Sequence, residues 1–288
     1  MVNVLVTGAN GQLASCLNDT IIVNSDYNYI FKNSSELDIT NNKDLASFFK
    51  QNKIKYCINC AAYTAVDKAE QDRKQATKVN VLGAENLAIE CSKINAILIH
   101  ISTDFVFDGE QSKAYNETDS TNPKSVYGQT KLDGELKIKE NLSNYFIIRT
   151  SWLYSEHGNN FMKTMLRLSK ERDQLSIVSD QIGTPTYAKD LAIVILKIIE
   201  TESTSYGCYH YSNEGVASWY DFAKAIFEIK NSNIEIIPIK TSNYPTPAER
   251  PIFSVLNKEK IKDNLGIEIP HWRDSLKKAI LNLNNLTN

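Results

Sequence analysis

The sequence predicts a doubly wound α/β fold: a parallel sheet with helices on both faces, joined to a smaller C-terminal lobe interleaved with it. Strand-like and helix-like segments alternate through the first half of the chain. The strand segments are near-continuous apolar runs, as expected of strands covered on both faces. A glycine-rich turn, Thr7-Gly-Ala-Asn-Gly-Gln-Leu-Ala14, separates the first strand from the first helix. The 288 residues suffice for one large domain or two unequal ones.

The strand candidates are Val2–Thr7, Tyr29–Lys32, Tyr56–Ala61, Ala96–Ser102 and Tyr145–Arg149. Helical stretches fall between them near Gln12–Asn18, Lys43–Gln51, Gln71–Lys93 and Val126–Glu140. After about Trp152 the alternation loosens. A helix over Phe161–Lys170, a short strand at Leu175–Val178 and a helix over Ala188–Ile199 come first, followed by helices near Trp219–Glu228 and Trp272–Leu283. Pro238, Pro245, Pro247 and Pro251 mark a loop-rich region, and the polar tail from Asn282 is expected to fray. The economical division is a dinucleotide-binding domain over 1–152 and a substrate-binding lobe over most of 153–288, with some segments returning to the core.

Bulk properties narrow the function. A net charge of −2 supplies no basic field for nucleic acid. The longest apolar runs, such as Leu191–Ile199 with Lys197 inside it, are too short to span a membrane. The chain enters a strand at once with no charged leader, and its five cysteines are odd in number and scattered. Both features point to the cytoplasm. Cys57-Ile-Asn-Cys60 lies in a strand pattern with no second pair at zinc spacing, so these cysteines read as small buried residues. His100, His157, His210 and His271 are scattered and read as structural or surface groups; no metal site is expected.

The chemistry concentrates at a few places. In the first turn, Gly8 and Gly11 would permit a tight bend and close approach of backbone to phosphate, and Ala14 would let helix pack on strand. The spacing is G-x-x-G-x-x-A, and an ordinary strand–turn–helix glycine pair would look similar. Its position after the first strand favours a Rossmann-type dinucleotide turn. The end of the second strand, Ile30-Phe-Lys-Asn-Ser-Ser35, lacks the acid that usually holds the adenosine ribose and carries Lys32, so NADPH as well as NADH is compatible. Asp38 is either an acceptor for the adenine amino group or a turn acid before the next helix. Ser102 and Thr103 emerge at a strand's carboxyl end, where open α/β sheets bind ligands. Tyr127 and Lys131 stand four residues apart, on one helix face. An ammonium beside a phenol lowers the phenol's pKa and suits it to acid–base work. Thr103, Tyr127 and Lys131 thus form a candidate set for nicotinamide-dependent carbonyl reduction.

Taken together, these segments resemble the extended short-chain dehydrogenase/reductase superfamily and, within it, the dTDP-4-dehydrorhamnose reductase family. The likeness runs through Asn59-Cys-Ala-Ala-Tyr-Thr-Ala-Val-Asp-Lys-Ala-Glu70, Ser102-Thr-Asp-Phe-Val-Phe107 and Val126-Tyr-Gly-Gln-Thr-Lys131. It continues through Arg149-Thr-Ser-Trp-Leu-Tyr154, Gly158–Leu166, Asp180-Gln-Ile-Gly-Thr-Pro-Thr186 and Tyr244–Pro251. The resemblance implies Tyr127 as proton donor, Lys131 as its pKa-lowering, ribose-binding partner and Thr103 as holder of the keto oxygen. It implies Gly11, Gln12 and Leu13 at the cofactor pyrophosphate, Asp38 and Ile39 at the adenine end, and Ala62, Tyr63 and Thr64 on the ribose side. Asp104 and Trp152 match sugar-contacting positions, and Asn160 and Arg250 are candidates for the nucleotide diphosphate.

Two departures are informative. The sister 4,6-dehydratases carry an acid directly after Thr-Asp, whereas this chain has Phe105, which transfers no proton; reduction fits better than elimination. Relatives that dimerise through Mg2+ use carboxylates where this chain has Cys16 and Lys189, so a monomer is expected, with a homodimer as the alternative. The implied reaction is reduction of dTDP-4-dehydro-L-rhamnose at C4 by NADPH or NADH, giving dTDP-L-rhamnose for surface polysaccharide. The alternatives are a reductase of another 4-keto-6-deoxy sugar nucleotide and a non-catalytic NADP-binding subunit.

Overall fold

A computed structural model describes residues 1–21 and 26–287. Its centre is a six-stranded, all-parallel sheet of β1 (Val2–Thr7), β2 (Tyr27–Lys32), β3 (Ile54–Asn59), β4 (Ile97–Thr103), β5 (Tyr145–Thr150) and a sixth strand, Gly207–His210, from the C-terminal half. The spatial order is β2-β1-β3-β4-β5 and then Gly207–His210. The winding direction reverses between β1 and β3, which opens a crevice at the carboxyl ends of the strands.

Successive residues on each strand serve opposite faces. Val4, Val6, Tyr56, Ile58, Ile97 and Ile99 pack under helices α1 (Gln12–Thr20) and Ala188–Glu200. Leu5, Cys57 and Leu98 pack on the other side with α2 (Asn42–Asn52), Gly83–Lys93 and Val126–Asn141. Both faces are therefore apolar, which is why these strands read as unbroken apolar runs. The first face is closed by a helix from the C-terminal half, so the two halves of the sequence share one core.

The remainder builds a second core around Tyr154, Met162, Tyr187, Phe222 and Trp272. Its sheets are two-stranded: Leu153–Tyr154 with Thr186–Tyr187, Gln174–Val178 with Glu235–Ile239, and Ile182–Gly183 with Ala217–Ser218.

Two expectations need correction. A short helix α3 (Val66–Ala69) comes first, and the single helix expected over Gln71–Lys93 is three pieces: α4 (Arg73–Thr77), a π-turn at Lys78–Leu82 and α5 (Gly83–Lys93). The wider turn presents Asn80, which accepts from the Tyr63 N–H at 2.8 Å and donates to the Tyr63 carbonyl at 3.1 Å and to Thr130 at 3.0 Å. Residues 282–287 of the tail end the last helix, Trp272–Thr287, where Asn282 donates to the Tyr187 hydroxyl at 2.9 Å; Asn288 lies outside the described residues.

Candidate active site

The glycine turn sits at the mouth of the crevice. Gly8 has φ +69°, and a Cβ there would stand 2.6 Å from the Ala61 nitrogen, so both conformation and space require glycine. The Gly11 N–H closes the turn on the Gly8 carbonyl at 2.9 Å, and α1 begins at Gln12 with no side-chain cap. Its first N–H groups are thus left for an anion. Of Gln12 and Leu13, expected at the pyrophosphate, neither side chain is turned towards the glycine turn. The Gln12 side chain points to the lobe, accepting from Asn160 at 2.8 Å and Ser155 at 3.2 Å, and Leu13 is buried in the core.

A cleft of roughly 550 Å³ continues from this turn, lined by Gly8, Gly11, Asp38, Ile39, Ala62 and Tyr63 among others. Thr64 is exposed outside that lining. Asp38 is a turn acid, one oxygen accepting from the Thr40 N–H at 2.9 Å, and the residue also borders the cleft. Lys32 is not on this wall; it pairs with Glu36 at 3.8 Å. The cation bordering the cleft is Lys78, from the π-turn, alongside Asn33 and Ser34. A dinucleotide fits this donor set: an uncapped helix start, a glycine without room for a side chain, and polar groups at the far end.

Thr103 ends β4, and Tyr127 and Lys131 lie on α6 (Val126–Asn141). Ser125 caps α6 by accepting from the Gly128 N–H at 3.1 Å, and Glu70 accepts from the Val126 N–H at 2.8 Å. A Cβ on Gly128 would collide with the Phe105 carbonyl, so the helix start lies directly on the turn after Thr103. There the Tyr127 ring meets Phe105 edge-on at 5.6 Å.

The electrostatics differ from expectation. Burial pushes the Tyr127 phenol up to about 12, opposed by the Thr103 hydroxyl and reinforced by Asp104. Lys131 is instead held down to about 8 by burial, against Glu135 and Cys60. Its Nζ donates to the Ile101 carbonyl at 2.6 Å and meets His100 Nε2 at 3.1 Å. The Lys131 amino group is thus turned into the sheet, and burial dominates the phenol. The consequence is a tyrosine that keeps its proton at neutral pH.

At the substrate end, Asp104 is buried. The Thr103 hydroxyl donates to its Oδ1 at 3.0 Å, while Oδ2 has no partner. Burial raises this carboxyl to about 6. Trp152 holds φ +47° and stacks on Trp219 with ring centroids 3.6 Å apart and planes 8° from parallel. Gly183 makes the space, since a Cβ there would stand 2.7 Å from the Trp152 ring. Trp219 donates to Gln181 at 3.2 Å, and nothing in the sequence reading singled it out. Arg250 forms a two-point pair with Asp67, at 2.7 and 3.1 Å, on the segment beside Tyr63. The Asn160 side chain is occupied within the protein, accepting from the Lys163 N–H and donating to Gln12, Ser155 and His157.

The described residues also gather Asp19, Glu156 and His157, with ligand atoms within 4.8 Å of one another; His157 is paired to Asp19 at 2.6 Å and Glu156 accepts from Tyr187 at 3.0 Å. No described helix is long and apolar enough to cross a membrane.

Residues 2–285 match the family model described as RmlD substrate binding domain. A dTDP-4-dehydrorhamnose reductase of Aggregatibacter actinomycetemcomitans is 44% identical over 287 residues, covering 96% of this chain and 98% of the relative. A crystal structure of the Clostridium acetobutylicum reductase superposes with TM-score 0.95 at 42% identity, over 98% of this chain and all of that one (100%). The Bacillus anthracis reductase, solved in complex with NADP, gives TM-score 0.94 at 40% identity, over 98% and 100%. Full-length similarity at this level, on a chain that places Thr103, Tyr127 and Lys131 around the crevice of a doubly wound sheet, leaves one assignment: the chain belongs to the dTDP-4-dehydrorhamnose reductase family.

Proposed function

We propose that this protein reduces the C4 keto group of dTDP-4-dehydro-L-rhamnose to give dTDP-L-rhamnose for surface polysaccharide. The observation that carries the reading is the placement of Tyr127, at the start of α6, beside Thr103 at the end of β4, next to an uncapped helix start fit for a dinucleotide. When bound, NADPH or NADH supplies the hydride. The backbone of Gly8, Gly11, Gln12 and Leu13 would hold the pyrophosphate, Asp38 and Ile39 would border the adenine, and Ala62 and Tyr63 would flank the ribose, with Thr64 outside the cleft. Tyr127 gives its proton to the C4 oxygen as charge builds there, a role worth about 10²- to 10⁴-fold in rate. Thr103 steadies the same oxygen. Lys131 stabilises the phenolate that Tyr127 leaves behind. Asp104 and Trp152 hold the sugar, and Arg250 serves the diphosphate end; Asn160 acts there only by holding Gln12 at the start of α1.

The substrate is a dTDP-sugar and the working location the cytoplasm, a reading supported by five free cysteines. We read the protein as a monomer, because Cys16 is buried with its thiol pushed up to about 12, no ligand for a hard dication. Sedimentation of the purified protein tests that point.

The decisive assay mixes the protein with enzymatically generated dTDP-4-dehydro-L-rhamnose and follows NADPH and NADH absorbance. Cofactor oxidation with dTDP-L-rhamnose as product is expected. A flat trace with cofactor binding intact would overturn the assignment and direct the search to other keto-sugar nucleotides.

A further inference from the structure

Behind Lys131 runs a buried polar string. Thr7 on β1, Asn59 on β3 and His100 on β4 are register neighbours across three adjacent strands, and all are fully buried. Asn59 Oδ1 accepts from the Thr7 hydroxyl at 2.8 Å and from the Ala61 N–H at 3.2 Å. A backbone N–H can only donate, so this end of the amide is the oxygen. Asn59 Nδ2 therefore faces His100 Nδ1, at 2.9 Å, and donates to it. Burial keeps His100 neutral, far below its ordinary range, so the ring has one proton. With Nδ1 accepting, that proton is on Nε2, which points at Lys131 Nζ 3.1 Å away.

We propose that His100, oriented by Asn59, is a positioning residue that offers Lys131 an N–H and so holds this lysine ready to give up a proton. Facing that donor, Lys131 completes its shell as an amine, accepting from His100 and donating to the Ile101 carbonyl. To stand as an ammonium it needs the ring proton moved to Nδ1 and the Asn59 amide turned over. That turn would deprive the Ala61 N–H of its acceptor. The charge of Lys131 is thus linked to the backbone that packs against Gly8 of the glycine turn.

The groups facing Lys131 are Glu135 on its own helix, Cys60 after β3, and His100 and the Ile101 carbonyl on β4, while Tyr127 stands one turn before it on the same helix face. Glu135 favours the ammonium but is engaged bidentately by Arg149, at 2.8 and 2.9 Å. In its ammonium form a lysine poised in this way is a proton source for the Tyr127 phenolate: one ammonium N–H breaks, the phenol O–H re-forms, and the neutral amine that remains is the form His100 faces until it regains a proton from solvent. The inference rests on the reductase reading for its catalytic meaning, yet its test needs no sugar.

The test is NMR on full-length protein labelled at histidine and lysine, with Lys131→Arg and His100→Gln giving the assignments. Above the Lys131 midpoint, the His100 ring is expected with its proton on Nε2. As pH falls through that midpoint, the ring proton moves to Nδ1 in step. In His100→Gln the side-chain oxygen can turn to the ammonium, so the Lys131 midpoint rises by about one pH unit, about tenfold in proton affinity. A proton on Nδ1 at high pH, or an unmoved Lys131 midpoint in the folded variant, overturns the proposal. Should His100→Gln fail to fold, the wild-type tautomer decides alone. Failure to reduce any keto sugar would refute the functional reading and leave these readouts intact.

Discussion

The two halves of the crevice are held in place by different means. On the sheet side, groups are fixed by backbone register: Thr7 lies opposite Asn59, Asn59 opposite His100, and Thr103 ends the same strand. On the lobe side the strands come only in pairs, and the wall of the site is fixed by side chains. Trp152, in a left-handed conformation, stays where it is because Trp219 stacks on it and Gly183 leaves room. Substitutions on the sheet side should therefore change chemistry while sparing geometry, and substitutions in the lobe should change geometry while sparing chemistry.

Tyr127→Phe tests the first half of that statement and carries the largest expected effect. The ring keeps its edge-on contact with Phe105 and only the hydroxyl is lost. Single-turnover reduction should slow by about 10²- to 10⁴-fold, while NADPH affinity and the unfolding midpoint stay close to wild type. Near-normal turnover would remove Tyr127 from its proposed role. Trp219→Leu tests the second half. It removes the stacking face behind Trp152 and touches no proposed proton-transfer group, so kcat/KM for the sugar should fall by about 10- to 100-fold. Cofactor affinity should be unchanged. Equal losses in cofactor binding would mean that the lobe does not act independently of the sheet.

The same contrast explains what could be read from the sequence. Five of the sheet's strands are legible because burial on both faces leaves a run such as Val4-Leu-Val6 with no polar interruption. The sixth, Gly207-Cys-Tyr-His210, is short and sits at the sheet's edge, and the pairing of Glu235–Ile239 is masked by Pro238. The π-turn at Lys78–Leu82 shifts the helical period by one residue, too little for a periodicity argument to detect. At the site, Tyr127 and Lys131 stand out through spacing, and the glycine turn through position. Trp219 could not be found this way: its place depends on a stack with a residue far away in the chain. Glu70, which caps the start of α6, is hidden for the same reason. His100 read as a scattered histidine because only strand register brings it to Lys131.

Asp104 sits on the seam between the two halves, with the hydroxyls of Thr103 on the sheet side and Ser254 on the lobe side both favouring its charge, and it sharpens the comparison with the smallest effect. Its carboxyl is raised to about 6 from 3.8 because burial outweighs those hydroxyls, and Oδ2 has no partner. Between about pH 4 and pH 6 the folded protein therefore binds a proton that the unfolded chain does not. Stability from this group is present below that window, is lost as pH rises through it, and stays lost at pH 7. Asp104→Asn keeps an oxygen for Thr103 and removes the buried charge. The replacement amide still lacks a partner, which offsets part of the gain. The variant should thus be more stable than wild type by about 1–2 kcal/mol at pH 7, with the difference shrinking towards zero near pH 4, as read from denaturant midpoints at the two pH values. It should also bind the sugar more weakly, since Asp104 is proposed to hold it. Stability that failed to rise at pH 7 would mean that Asp104 is already neutral or solvated there. A variant both more stable and fully active would mean that the buried carboxylate is not retained for the reaction.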